Sequence, residues 1–153
     1  MKRVLVAVDG SKGSHACIET CARLFAGRPP PTVILVHVLG FGGPSAVDGM
    51  SSDAELAELR EAIEGSPQLE ERKAKAEAIF AAPRAFFKEH GFGDVHTVIK
   101  SGRAAEEIVN TAAEHGAELI VVGNTRSLIN RLMLGDVAHQ VAKGATVPVL
   151  LAR

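Results

Sequence analysis

Five short apolar runs, separated by segments with helical features, limit what this chain can fold into more than any other feature. The runs are short and rich in β-branched residues, as strands buried on both faces of a sheet are. Strands that alternate with helices favour a parallel sheet with helices on both faces, an α/β fold. The predicted strands are Val4–Val8, Thr32–Leu39, Val95–Lys100, Leu119–Val122 and Val147–Ala152.

Capping residues and prolines define the helices between these strands. Ser11 or Ser14 is placed to cap a helix after the first strand, since a serine oxygen accepts from a free N–H group of the first turn. Ser66 followed by Pro67 predicts the start of a longer helix. Pro83 lies inside that helix and removes one backbone hydrogen bond, which predicts a kink or a break there.

The length of 153 residues predicts one domain spanning 1–153. Residues 40–52 contain four glycines and a proline, a composition typical of a loop. Asp53 is placed to cap a short helix before Gly65 and Ser66. The segment at about 40–66 is therefore interpreted as a flexible insertion within the domain.

The composition excludes several classes of function. The apolar fraction of 46% and the charged fraction of 23% are ordinary for a globular protein, and the net charge of −1 favours neither nucleic acid nor an anionic membrane as a partner. Every apolar run is far shorter than the roughly 20 residues that cross a bilayer. A cytoplasmic protein is the expectation.

The cysteines and histidines do not form a recognisable metal motif. Cys17 and Cys21 are four residues apart on one face of a predicted helix, a spacing compatible with a metal or redox role. Burial as two small side chains is the simpler interpretation, because two ligands do not make a structural zinc site. The six histidines show no metal-ligand spacing.

The segment Gly123–Val137 carries the clearest functional signal. It follows the predicted strand Leu119–Val122 and precedes a predicted helix, Val137–Ala142. A glycine after a strand allows close approach of a ligand, and free N–H groups at the start of a helix attract an anion such as phosphate. The pattern therefore indicates a phosphate site at this end of the sheet.

The chain resembles the universal stress protein family. Nucleotide-binding members carry Gly, two residues, Gly, nine residues and then Gly-Ser or Gly-Thr, and Gly123 and Gly135 match the first and last glycines. The resemblance also covers Arg3-Val-Leu-Val-Ala-Val-Asp-Gly-Ser11, Leu35-Val-His-Val38 and Val147-Pro-Val-Leu-Leu151. It implies a Rossmann-like three-layer sandwich with strand order 3-2-1-4-5, in which the first and fourth strands flank the ligand crevice.

The resemblance implies a binding site for ATP or another adenine nucleotide, with or without Mg²⁺. It places Asp9 against the nucleoside and the Val38 backbone against the adenine. A local role competes in each case: Asp9 suits a turn or a helix cap, Val38 suits a core strand, and Gly123 suits a turn with positive φ. The implied site residues are Ala7, Val8, Asp9, Val38, Gly102, Val122, Gly123, Thr125, Arg126, Gly135, Asp136 and Val137.

The chain departs from the family pattern in three places, and the changes at Asp136 and in the loop length argue against tight triphosphate binding, whereas Arg126 or a bound Mg²⁺ could offset the repulsion. Arg126 replaces the second glycine, either as a partner for phosphate or as a solvated surface side chain. Only eight residues, Ser127–Leu134, separate it from Gly135. Asp136 replaces the hydroxyl residue, and a carboxylate cannot donate to phosphate. Two like charges about 4 Å apart repel by roughly 4 kcal/mol at an effective dielectric constant of about 20.

Three functions are compatible with these observations. The first is a stress-response regulatory protein with an adenine-nucleotide crevice between strands 1 and 4. The second is a nucleotide-free dimeric interaction module that acts through an unidentified regulatory protein partner, with the homodimer formed through Val147–Ala152. The third, remote alternative is an ATP pyrophosphatase-like enzyme, prompted by Asp9-Gly-Ser-Lys-Gly-Ser14. No catalytic constellation accompanies that segment, so an enzyme is not expected.

Overall fold

The computed structural model describes residues 1–39, 53–123 and 137–153, apart from the side chains of 56, 59, 60 and 63. The elements follow one another as five strands and five helices within those residues. In chain order they are β1 (Arg3–Ala7), α1 (Lys12–Leu24), β2 (Thr32–Leu39), α2 (Asp53–Ile63), α3 (Pro67–Glu89), β3 (Asp94–Ser101), α4 (Ala104–Glu114), β4 (Leu119–Gly123), α5 (Val137–Gly144) and β5 (Val149–Ala152).

The strands form one parallel sheet in the order β3-β2-β1-β4-β5. This confirms the predicted strand order and the α/β class. β2 has the predicted bounds, whereas β5 begins two residues later than predicted. Pro148 still accepts a hydrogen bond from the Ile120 N–H at 3.0 Å, so the pairing with β4 extends beyond the strand proper.

Alternate side chains of each central strand pack on opposite faces of the sheet, which gives two cores. Val4 and Val6 of β1 pack with buried residues of α1 and α3 on one face. Leu5 of β1 packs on the other face with α4 and α5. The three layers are therefore helices, sheet and helices. The deepest large side chains of the first core, Phe80 and Phe87 of α3, are at most 1% exposed.

Of the kink or break predicted at Pro83, the break is wrong, because α3 continues through Pro83 as a single helix. Ser66 caps it as predicted, its Oγ accepting from the Leu69 N–H at 3.2 Å. Pro83 is buried, and the apolar stripe of α3 packs on the sheet both before it, with Phe80, and after it, with Phe87. Packing on both sides offsets the one hydrogen bond that proline removes.

The two cysteines are buried in the first core, as the simpler interpretation predicted. Both Cys17 and Cys21 are free thiols with no exposed surface. Burial, and to a smaller extent the negative charge of Asp9, raises the pKa of the Cys17 thiol to about 12. Burial, and to a smaller extent the neighbouring Cys17, raises the pKa of the Cys21 thiol to about 12. Thiols that stay protonated are poor nucleophiles and poor metal ligands.

Residues 40–52, the first part of the predicted insertion, lie outside the described residues. The second part contains α2, whose first helical residue is Asp53, the residue predicted to cap it. The Arg103 guanidinium at the start of α4 lies 3.3 Å from the Asp53 carboxylate. This contact places the start of α2 near the carboxyl end of β3.

Candidate functional site

The candidate site lies at the carboxyl ends of β1 and β4. These strands are hydrogen-bonded neighbours, with Val6 opposite Val121. Each strand makes its next connection in the opposite direction along the sheet, β1 toward β2 and β4 toward β5. Such a reversal leaves a crevice outside the strand ends, where ligands of open α/β sheets bind. Val8 and Asp9 leave β1 here, and Val122 and Gly123 end β4.

Asp9 makes local hydrogen bonds of the kind that its turn role predicts. Its Oδ1 accepts from the Ser11 N–H at 2.9 Å, which is an Asx turn. Ser11 in turn caps α1, its Oγ accepting from the Ser14 N–H at 3.3 Å. The second carboxylate oxygen of an ionised aspartate keeps its acceptor capacity, so the turn and ligand binding are compatible.

The backbone on either side of the Val8–Asp9 peptide is also tied to its neighbours. The Val8 N–H donates to the Val36 carbonyl at 2.9 Å, extending the pairing of β1 with β2 by one residue. The Asp9 N–H donates to the Ser14 Oγ at 3.3 Å. The His37 Nδ1 lies 2.7 Å from the Val8 carbonyl oxygen. This contact between β2 and the end of β1 is not apparent from the sequence.

Gly123 is required at the end of β4, for a reason that sequence reasoning missed. Its φ lies outside the left-handed range, so the turn that the sequence suggested is not the cause. A Cβ at Gly123 would instead lie 2.8 Å from the Gly13 carbonyl oxygen and 2.9 Å from the Gly13 carbonyl carbon. The first turn of α1 therefore packs directly on the end of β4, and only glycine fits between them.

The neighbouring strands β2 and β3 bring two further predicted site residues, Val38 and Gly102, toward the same end of the sheet. Val38 is partly buried, packs on the second core and pairs with Lys100 of β3. Gly102 is buried, has a φ of 143° and donates its N–H to the Leu39 carbonyl at 3.1 Å. Val38 lies one strand beyond β1, and Gly102 follows the edge strand β3.

Four of the predicted site residues, Thr125, Arg126, Gly135 and Asp136, lie outside the described residues. Val137 is the first residue of α5 and is 39% exposed. The remaining predicted residues lie at strand ends: Ala7 closes β1, Val8 and Asp9 follow it, and Val122 and Gly123 close β4. The fold thus brings residues that are more than 100 positions apart in the chain to the carboxyl end of the sheet.

The part of the chain that the structure describes contains neither a metal-binding cluster nor a membrane-spanning helix. No group of three or more histidine, cysteine or acidic side chains in those residues is arranged to hold a metal ion. None of the helices within the same ranges combines the length and the apolar character that spanning a bilayer requires.

Comparison with known proteins extends over the whole chain. A family model described as "Universal stress protein family" matches residues 1–153. The chain is similar to universal stress protein YxiE of Bacillus subtilis (strain 168), with 33% identity over 162 residues, 99% of this chain and 98% of the relative.

Solved structures share the fold. One is a universal stress protein in complex with cAMP, with a TM-score of 0.67, 20% identity and coverage of 99% of this chain and 96% of the other. Another is a universal stress protein family protein from Arabidopsis thaliana with AMP bound, with a TM-score of 0.66, 19% identity and coverage of 99% and 91%. These structural matches show only the fold, whereas the family match over all 153 residues and the match to YxiE show the family. The chain belongs to the universal stress protein family.

Proposed function

We propose that this universal stress protein is a regulatory protein that binds an adenine nucleotide in the crevice between β1 and β4. The observation that carries the proposal is the convergence of Asp9 and Gly123 at adjacent strand ends where the winding of the sheet reverses. The fold neighbours described with cAMP and AMP support an adenine nucleotide as the ligand class.

The described residues fit such a ligand at its nucleoside end. The Ser11 N–H contacts Oδ1 of Asp9, and the second carboxylate oxygen can accept from the hydroxyl or amino groups of a nucleoside. Ala7 ends β1 and Gly10 follows Asp9, so the residues beside Asp9 at this strand end include small ones. The nucleoside would lie against β1 and β2, which leaves its phosphate toward the segment between β4 and α5.

The sequence of that segment favours a monophosphate over a triphosphate. Asp136 immediately precedes Val137, the first residue of α5. A carboxylate at a helix start competes with phosphate for the positive end of the helix dipole. ATP brings more negative charge to this location than AMP does. We therefore propose AMP-class nucleotides as the better ligands.

Replacing Asp136 with serine is expected to tighten ATP binding by more than tenfold. Removing even half of a roughly 4 kcal/mol repulsion corresponds to a factor of about thirty in the dissociation constant. Isothermal titration with ATP and with adenosine measures the effect, and adenosine serves as the ligand without phosphate. An unchanged or weaker ATP affinity in the D136S variant would refute the repulsion account.

Heating the protein with AMP, ADP or ATP at millimolar concentration tests the proposed function as a whole. A ligand present at one hundred times its Kd stabilises the native state by about 2.7 kcal/mol. Since 1 kcal/mol moves the Tm of a chain this size by about 2–4 °C, the expected rise is roughly 5–10 °C. No rise with any of the three nucleotides contradicts the proposal. Release of phosphate or pyrophosphate with turnover would instead favour the remote enzyme alternative.

A second candidate function, a dimeric interaction module without nucleotide, is favoured by the contrast between the two sheet edges. The β3 edge carries Asp94, His96 and Lys100, and the Arg84 Nη2 donates to the Thr97 Oγ1 at 3.0 Å. Charged edge strands resist pairing with another chain. The β5 edge reads Val-Leu-Leu-Ala without a charge, and Leu151 is 44% exposed. We propose that β5 is the edge through which two copies pair.

Replacing Leu151 with lysine is expected to raise the dimer dissociation constant more than tenfold. In a two-fold symmetric β5 pair the substitution places one lysine on each copy. The two lysines repel each other and the apolar contact of the leucines is lost, and both effects weaken the interface. Sedimentation velocity over a concentration series measures the constant. Leu24→Lys is the matched control, because Leu24 is also an exposed leucine, at 56%, but ends α1. Equal effects of the two substitutions would argue against β5 as the interface.

A further inference from the structure

The His37 side chain of β2 is hydrogen-bonded to Val8, the residue that leaves β1. Its Nδ1 lies 2.7 Å from the Val8 carbonyl oxygen, and the ring is half-buried. A carbonyl oxygen only accepts, so Nδ1 must carry the proton and donate. The contact joins two residues that are 29 positions apart in the chain.

This bond is half of a clamp on the peptide group between Val8 and Asp9. The carbonyl side accepts from His37, and the N–H side donates to the Ser14 Oγ at 3.3 Å. Ser14 is only 6% exposed and belongs to the first turn of α1. Because a peptide group is planar, holding its oxygen and its N–H together fixes the plane from which Asp9 departs.

The clamp also determines where the Asp9 carboxylate lies. From the fixed peptide, the Asp9 Oδ1 reaches the Ser11 N–H at 2.9 Å, and Ser11 caps the same helix that Ser14 belongs to. His37 therefore holds the Val8 carbonyl that precedes Asp9 from β2, while Ser11 and Ser14 of the α1 start hold the Asp9 carboxylate and N–H. Losing the imidazole would release the carbonyl end and leave the orientation of Asp9 to α1 alone.

We infer that His37 is a positioning residue of the nucleotide crevice, which holds the Val8–Asp9 peptide in the orientation that presents the Asp9 carboxylate to the ligand. The inference rests on the proposed function for the identity of the ligand. Its physical content, the fixing of the Asp9 backbone by an imidazole donor, exists in the protein without ligand. The two parts are therefore tested separately.

The structure supplies a matched control in His90, which caps the C-terminus of α3. Its Nδ1 lies 2.8 Å from the Phe86 carbonyl oxygen, so it makes the same kind of imidazole-to-carbonyl bond. Its ring stacks on Phe86 with centroids 4.1 Å apart, and it is exposed. The hydrogen bond of His90 links residues four apart at the end of one helix, whereas that of His37 links β2 to Val8, the residue that follows β1.

The binding test compares H37L, H37N and H90L by titration with AMP. H37L is expected to weaken the AMP affinity about five- to tenfold, the range expected when one hydrogen bond is lost. H37N is expected to restore it to within about twofold of the wild type, because the asparagine amide donates from nearly the position of Nδ1. H90L is expected to leave the affinity unchanged. Equal losses in H37L and H90L, or no rescue by H37N, would overturn the inference.

The ligand-free test follows hydrogen exchange of the Asp9 and Ser11 amides by NMR. H37L is expected to speed exchange at both amides by about tenfold relative to amides in the centre of β2, and H37N is not. Unchanged exchange at Asp9 and Ser11 in H37L contradicts the positioning role, whatever the ligand. Faster exchange together with no binding of AMP by the wild type would retain the clamp and reject the proposed function.

Discussion

Replacing Gly123 with alanine is expected to destabilise the protein by about 2–3 kcal/mol, within the range for forcing extra atoms into a packed site. The added Cβ would lie 2.8 Å from the Gly13 carbonyl oxygen, and the atoms it meets are backbone atoms that cannot rotate away. The first turn of α1 must therefore shift. The corresponding fall in Tm is roughly 5–10 °C for a chain of this size.

Gly144→Ala is the matched control for this substitution. Gly144 ends α5, its φ lies outside the left-handed range, and a Cβ there would lie 3.7 Å from the Val109 Cγ2, an ordinary contact. Its expected effect is within about 0.5 kcal/mol of zero. Urea denaturation of both variants measures the difference. A Gly123→Ala variant as stable as the Gly144→Ala variant would show that α1 and β4 are not in the tight contact described.

Replacing Asp9 separates its role in the turn from its proposed role in binding. Asp9→Ala removes the acceptor of the Ser11 N–H and the carboxylate offered to the nucleoside. The expected result is a loss of AMP affinity of about 10- to 100-fold, as for hydrogen bonds to a charged group, together with a fall in Tm of a few degrees. Calorimetric titration and thermal unfolding measure the two effects independently.

Asp9→Asn is the discriminating variant, because asparagine keeps an Oδ1 that can accept from the Ser11 N–H and loses the charge. We expect its Tm to stay within about 1 °C of the wild type while its AMP affinity falls about tenfold. Wild-type affinity in both variants would leave Asp9 with the turn alone. A loss of stability in Asp9→Asn as large as in Asp9→Ala would show that the charge itself supports the fold.

The sequence predicted those parts of the fold that depend on local patterns. The apolar runs marked all five strands, and Ser66 with Pro67 marked the start of α3, because strand burial and helix capping are set by neighbouring residues. The alternative of a break at Pro83 was wrong for the same reason. Its local effect is to break a helix, but Phe80 and Phe87 pack on the sheet on either side of it, and that packing is not visible in the sequence.

The candidate site was less predictable, since it depends on contacts between distant parts of the chain. Gly123 was identified as important, but its contact with Gly13 requires knowing that α1 crosses the end of β4. The bond between His37 and Val8 likewise requires the register of β2 against β1. Asp9 and Gly123 were placed together only through the strand order that the family resemblance implied.

Titration of ¹⁵N-labelled protein with AMP, followed by NMR, tests the central claim most directly, because it reports both binding and its location. The claim predicts that the largest shifts fall on the backbone amides of Val8, Asp9, Ser11 and Gly123, which saturate together. Amides at the opposite ends of the strands, such as those of Arg3, Thr32 and Leu119, should change little. Saturable shifts centred elsewhere, or no shifts at millimolar AMP, would contradict it.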